Sequence, residues 1–153
     1  MAPNRCFSRV APVRPAGQFN LEPNYATKRD LSSTFVVLEP DHSAVPVEVT
    51  PALYDELDAR FDRFRDRLLV SSSTFDSDWT TWEIHPAGDE IVYLISGDAR
   101  MVLDRNGAEE VVHLREPGSF VIVPKSTWHT ARTSVPTKML FVTPGEGTGN
   151  KPV

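Results

Sequence analysis

The chain has 153 residues, 40% of them hydrophobic, and its 16 Lys and Arg against 21 Asp and Glu leave a formal net charge of −5. At this length a chain buries roughly 70% of the surface its unfolded form exposes, enough for one core and not for two, so a second catalytic domain is excluded. The acidic balance argues against a nucleic-acid partner, which leaves a footprint of clustered Lys and Arg, and the longest uninterrupted apolar run, Ile91 to Ile95, is far short of the roughly 20 residues of a membrane-spanning helix.

Proline is abundant, at 13 residues against a usual share of about 5%. The prolines fall between short β-rich runs, the mark of a turn-rich β protein. Cys6 is the single cysteine. It has no intramolecular disulfide partner and is too little for a cysteine-based zinc site, so a reducing, cytoplasmic setting is expected.

Residues 1 to 21 carry Arg5, Arg9 and Arg14 and no acid. Pro3, Pro12 and Pro15 would break the amphipathic helix that an organelle-targeting peptide needs, so this stretch reads as a loosely ordered basic arm or an edge strand lent to a partner. Thr34 to Glu39 is a β-branched strand, followed by a proline-bounded extended stretch to Val49. Thr50-Pro51 then opens a helix, with threonine as N-cap and proline at the first helical position. Leu53, Leu57, Phe61, Phe64 and Leu68 form one stripe of a 3.6-residue period and extend the helix to about Leu69. Glu56 and Arg60 are spaced for an i,i+4 pair on its other face.

Beyond Val70 the period changes. Thr80 to His85, Glu90 to Ser96, Asp98 to Asp104, Glu109 to Leu114, Ser119 to Val123, Trp128 to Thr133 and Lys138 to Thr143 are seven short runs, with Asn106-Gly107 the strongest hairpin turn. Strands this close with no helix between them favour an antiparallel sandwich or barrel. The end of the chain, Gly145 to Val153, with three glycines, is expected to be a flexible tail.

The chemistry-bearing residues are concentrated in two places. In the string Trp82-Glu83-Ile84-His85-Pro86-Ala87-Gly88-Asp89-Glu90, strand alternation puts Glu83 and His85 on one face, and a turn through Pro86, Ala87 and Gly88 brings Glu90 back beside them. Later, His129 follows a proline-marked turn at Pro124. Two imidazoles and two carboxylates from separate strands suit a hard-to-borderline divalent metal with an open position. Parity places Val92 and Leu94 on the face of Glu90, and Ala131 on that of His129. Met101 with Leu103 and Met139 with Phe141 then close the interior, giving a mostly apolar pocket for a small organic ligand. Trp82 and Trp128 alternate to the opposite face from a ligand, and His42 and His113 read as ordinary polar residues.

The two strings together resemble the two motifs of the cupin superfamily. The first motif, G(X)5HXH(X)3-4E(X)6G, is followed from Ser77 through His85 and Glu90 to Gly97. The second, G(X)5PXG(X)2H(X)3N, finds Gly118, Pro124 and His129 at its intervals. Ser77, Ser126 and Thr133 replace two glycines and the asparagine, and Glu83 stands where the first motif has a metal-binding histidine. The resemblance implies an all-β fold, a single cupin-type jelly-roll barrel with an N-terminal extension and one preceding α-helix. Its divisions are 1–33 as an N-terminal arm, 34–69 as a strand plus amphipathic helix packed on the barrel, 70–144 as the cupin domain and 145–153 as the tail.

Carried over by position, the metal ligands are Glu83, His85, Glu90 and His129, with Glu83 a ligand or an acid/base. They imply one divalent ion per chain, with Fe or Mn favoured by the added carboxylate and Ni or Zn open. The implied activity is a metal-dependent enzyme acting on a small molecule, a dioxygenase first and a sugar isomerase or epimerase second. The alternative is a non-catalytic module that senses a small molecule or a metal. The resemblance and the outward parity of Trp82, Tyr93 and Trp128 also imply a homodimer.

Overall fold

The computed structural model describes residues 26–153. The basic arm through residue 21 and Cys6 lie outside the described residues. The described residues form eleven strands and one α-helix. The strands are β1 (Thr34–Leu38), β2 (Ala44–Glu48), β3 (Leu68–Phe75), β4 (Thr81–Ile84), β5 (Glu90–Ser96), β6 (Ala99–Arg105), β7 (Ala108–Leu114), β8 (Phe120–Val123), β9 (His129–Arg132), β10 (Thr137–Pro144) and β11 (Gly149–Pro152). The helix, α1, spans Leu53–Arg60 between β2 and β3. Among the described residues no helix is long and apolar enough to cross a membrane.

Among the described residues all pairings are antiparallel, in two sheets ordered β2-β1-β3-β10-β5-β8 and β11-β4-β9-β6-β7. The architecture is the expected all-β jelly roll. Its core lies between the sheets. Val92, Leu94, Val123, Met139 and Phe141 come from the first sheet, and Ala99, Met101, Leu103, Leu114 and Ala131 from the second. Each fully buried aliphatic side chain contributes roughly 1.5–3 kcal/mol, so this interdigitated layer holds the sheets face to face. The β6–β7 hairpin has its two-residue turn at Asn106-Gly107, pairing Arg105 with Ala108, as the sequence predicts.

A second cluster joins Phe35, Val37 and Val47 of β1 and β2, and Leu69 of β3, to Leu53, Leu57, Phe61 and Phe64. The segment before β3 is therefore continuous with the first sheet, and β2 is its edge, where Pro46 costs no ladder bond that a neighbour needs.

Three local expectations are corrected. The helix ends at Arg60 rather than near Leu69, and its N-cap position is Ala52 rather than Thr50. Asp62, Arg63 and Phe64 take left-handed backbone at φ 48°, 52° and 60°, which stops the helix while still burying Phe61 and Phe64 with ring centroids 6.0 Å apart. Glu56 accepts from the Thr50 hydroxyl at 3.5 Å instead of pairing with Arg60, whose guanidinium lies over the Phe61 ring at 5.2 Å. Finally, the expected flexible tail contains β11, which pairs with β4 from Gly149↔Ile84 to Pro152↔Thr81. Lys151 secures it by placing its ammonium 4.4 Å from the Trp128 ring centroid and 5.7 Å from that of Trp82.

Candidate metal centre

Three chain segments converge on one end of the jelly roll. Glu83 sits in β4, His85 directly follows that strand, Glu90 opens β5 and His129 opens β9. The turn between His85 and Glu90 is clamped by the second motif's turn: the Ser126 N–H donates to the His85 carbonyl at 3.0 Å, and the Lys125 N–H to Asp89 Oδ1 at 2.7 Å. β4 and β9 meet in register only at Glu83↔His129. Beside that bridge the Thr130 hydroxyl donates to the Thr81 carbonyl at 2.9 Å and the Trp79 N–H to the Ala131 carbonyl at 2.9 Å. These bonds seat the two motifs against each other.

His85, Glu90 and His129 are 4%, 2% and 0% exposed, and Glu83 is half-buried. The imidazole centroids of His85 and His129 are 5.2 Å apart. His129 Nδ1 donates to the Thr127 carbonyl at 3.1 Å, which leaves Nε2 as the nitrogen with a free lone pair. His85 Nδ1 lies 3.0 Å from the Thr148 hydroxyl. Glu90 Oε1 accepts from the Thr143 hydroxyl at 2.6 Å.

The remaining atoms test the fit to a metal. His85 Nε2, Glu90 Oε2 and His129 Nε2 are buried with no hydrogen-bond partner. His129 Nε2 is only 3.1 Å from Glu90 Oε2, and His85 Nε2 3.5 Å from Glu90 Oε1, yet neither contact has hydrogen-bond alignment. We read them as charge contacts between groups aimed at a common point. An unpartnered buried polar atom costs about 1–3 kcal/mol, and three together form a donor set that a cation would complete. Ligand atoms of Glu83, His85 and His129 lie within 4.8 Å of one another, and Glu90 borders both imidazoles. The structure thus brings together all four residues singled out by the sequence, and two imidazoles with two carboxylates fit a divalent ion.

Charge interactions distinguish the two carboxylates. Burial pushes Glu83 above the usual carboxylate range, and the neighbouring Glu90 charge adds to it, against the weaker pull of His85 and His129. Burial also pushes Glu90 upward, but His129 and His85 outweigh it and bring its carboxyl down to about 2. For His129, burial pulls the imidazole down and Glu90 outweighs that, leaving it above its ordinary value.

The centre opens into a cleft of about 940 Å³ that Glu83, His85 and Glu90 line from below. Its wall corrects the expected apolar pocket. Of the seven residues proposed to line it, only Phe141 does; Val92, Leu94, Met101, Leu103, Ala131 and Met139 are packed in the core, because the inner faces of the two sheets interdigitate there. The actual wall combines hydroxyls such as Ser71, Ser73 and Thr81 with an aromatic group in which Trp79 lies 5.8 Å from both Phe75 and Phe141. Tyr54 and Asp58 of α1 also line the cleft. Sequence reasoning missed Thr143 and Thr148. Parity with Met139 and Phe141 was a signal for Thr143; Thr148 had none, since it lies in a stretch read as flexible. His42 is exposed, and His113 Nε2 contacts Asp98 Oδ1 at 2.7 Å, away from the site.

Residues 76–143 match the cupin domain family. This part of the chain is a cupin domain. Two solved cupin structures align with about half of the chain: a cupin-2 domain containing protein from Shewanella frigidimarina, at 17% identity over 50% of this chain and 70% of that one with a TM-score of 0.43, and a cupin superfamily protein from Desulfitobacterium hafniense, at 24% identity over 52% and 68% with a TM-score of 0.44. A structure of oxalate decarboxylase from Bacillus subtilis, a protein with Mn(II) centres, aligns at 19% identity over 57% of this chain and 23% of that one, with a TM-score of 0.44. No curated protein sequence matches the chain.

Proposed function

We propose that this cupin is a metal-dependent enzyme acting on a small organic molecule, with one divalent ion held by Glu83, His85, Glu90 and His129. The observation that carries this reading is the set of three buried, unpartnered donor atoms at the base of an open cleft. Fe(II) or Mn(II) suits the two carboxylates best, and such an ion supplies Lewis-acid polarisation or dioxygen chemistry. A dioxygenase is the first assignment.

The chain's own residues divide the remaining work. Phe75, Trp79 and Phe141 offer an apolar face for the body of a substrate, and the hydroxyls of Ser71, Ser73 and Thr81 bind its polar atoms. Glu83, the more weakly acidic of the two carboxylates, is the group suited to hold or move a proton at its carboxylate oxygen. Those hydroxyls also favour a second reading, a sugar isomerase or epimerase in which Glu83 carries a proton between adjacent carbons. We further propose that two copies pair as a homodimer through the outer face of the six-stranded sheet.

Reconstitution with Fe(II), Mn(II), Ni(II) and Zn(II) followed by elemental analysis tests the centre. About one ion per chain is expected, and no retained ion with any of the four overturns the reading. Screening metal-loaded protein against small carboxylates, phenols and sugars, with and without dioxygen, separates the reactions. Turnover requiring dioxygen supports the dioxygenase, and anaerobic turnover of a sugar supports the second reading.

A further inference from the structure

The hydrogen-bond partner of His85 Nδ1, Thr148, comes from beyond the matched cupin residues. Gly145-Glu146-Gly147-Thr148 is a turn closed by the Thr148 N–H donating to the Gly145 carbonyl at 3.2 Å, and Gly147 takes φ 71°, a conformation that favours glycine. The turn is wedged in place. A Cβ on Gly145 would come within 2.8 Å of the Phe64 ring, and one on Gly147 within 3.3 Å of Pro86, the residue after His85. β11 then anchors the turn to β4.

Within this turn the Thr148 hydroxyl donates its hydrogen to the Gly145 carbonyl at 3.0 Å. With that hydrogen committed, Thr148 Oγ1 can only accept from His85 Nδ1, 3.0 Å away, so the ring proton resides on Nδ1 and Nε2 keeps its lone pair for the centre. Five residues earlier the Thr143 hydroxyl donates to Glu90 Oε1 at 2.6 Å, so only Oε2 of that carboxylate is left unpartnered. Thr143 lies in β10 and Thr148 in the turn that leads from β10 to β11.

We propose that Thr148 and Thr143 are positioning residues of the metal centre: the C-terminal segment from β10 through the turn to β11 fixes the tautomer of His85 and the free oxygen of Glu90, and the centre is incomplete without it. This rests on the metal-binding reading above. Partners of this kind orient a ligand and tune its basicity, and removing one typically weakens metal affinity about 10–100-fold.

The test compares Zn(II) and Co(II) binding by wild type, Thr148→Val, Thr148→Ser and Thr143→Val, alongside the thermal melting of each metal-free protein. Thr148→Val should bind about 10–100-fold more weakly, with altered Co(II) ligand-field absorption and a metal-free melting temperature close to wild type. Thr148→Ser, which keeps the hydroxyl, should return affinity and spectrum to near wild type. Imidazole ¹⁵N spectra of zinc-loaded wild type give a readout that needs no variant, and His85 should show a protonated Nδ1 and a metallated Nε2. Zinc on His85 Nδ1, or Thr148→Val binding as tightly as wild type with an unchanged Co(II) spectrum, overturns the proposal while the metal-binding reading stands. Wild type that binds neither ion overturns both.

Discussion

Ser126 stands where the second cupin motif has a glycine, and its backbone is left-handed at φ 58°. That region costs an L-residue about 1–2 kcal/mol, and glycine's greater freedom in the unfolded chain offsets about 0.5–1 kcal/mol of the relief. Ser126→Gly should therefore stabilise the protein by roughly 0.5–1 kcal/mol, raising the melting temperature by about 1–4 °C. An unchanged or lowered value in a thermal scan would show that the turn bears no such strain. The position was legible because motif spacing encodes backbone conformation as well as chemistry. Glu83, His85, Glu90 and His129 were located for the same reason: the strand and turn lengths between them fix where their side chains meet. Thr148 was not legible, since a hydroxyl that orients a ligand across 63 residues leaves no local pattern.

Elements were legible where apolar alternation or turn chemistry marked them, which placed β5 at Glu90–Ser96 and the Asn106-Gly107 hairpin. The stripe from Leu53 to Phe64 identified which residues are buried but not that one helix carries them; spacing of 3 and 4 persists through the left-handed turn at Asp62–Phe64. β3 was obscured by the hydroxyl run Ser71-Ser72-Ser73-Thr74, where a polar cleft replaces the usual apolar face. β11, Gly-Asn-Lys-Pro, is invisible to hydrophobic periodicity because backbone pairing with β4 and the Lys151 contacts hold it. The turn that delivers it depends on Gly147. A side chain there enters the left-handed region and meets Pro86 at 3.3 Å, so Gly147→Ala should cost about 1–2 kcal/mol. The urea midpoint measures this, and an unshifted midpoint would mean that the turn is not held as described.

At the scale of the whole molecule, lateral pairing aligns Pro46, Val36, Val70, Val142, Ile91 and Ile122 in one apolar row across all six strands of the first sheet. Leu140, Tyr93 and Phe120 begin a second row, and Ile122 and Phe120 are 51% and 57% exposed. Trp82 and Trp128, by contrast, are covered in part by Lys151. A self-complementary sheet face suits a two-fold dimer, so light scattering should give twice the 17.1 kDa chain mass, and Ile122→Asp should return it to the single-chain value; a wild-type monomer at micromolar concentration refutes the pairing. Global stability should also report the state of the centre through pH. In metal-free protein Glu90 is depressed from 4.5 to about 2, so its contribution is present above pH 4.5 and lost as pH falls toward 2. Glu83 and His129 are both raised, so their contributions are complete below their unfolded values of 4.5 and 6.5 and are lost as pH rises through the higher folded values. The chelated protein should lose stability from these groups on the acid side through Glu90 and on the alkaline side through His129 and Glu83. Metal binding requires deprotonated donors, so the stability gained on loading should grow steadily from pH 5 to pH 8. Glu83→Gln should shrink that growth, because one of the groups that must release its proton is gone. Melting curves of chelated and loaded protein recorded across this range give the answer directly: if they run parallel from pH 5 to pH 8, the four residues do not share an ion.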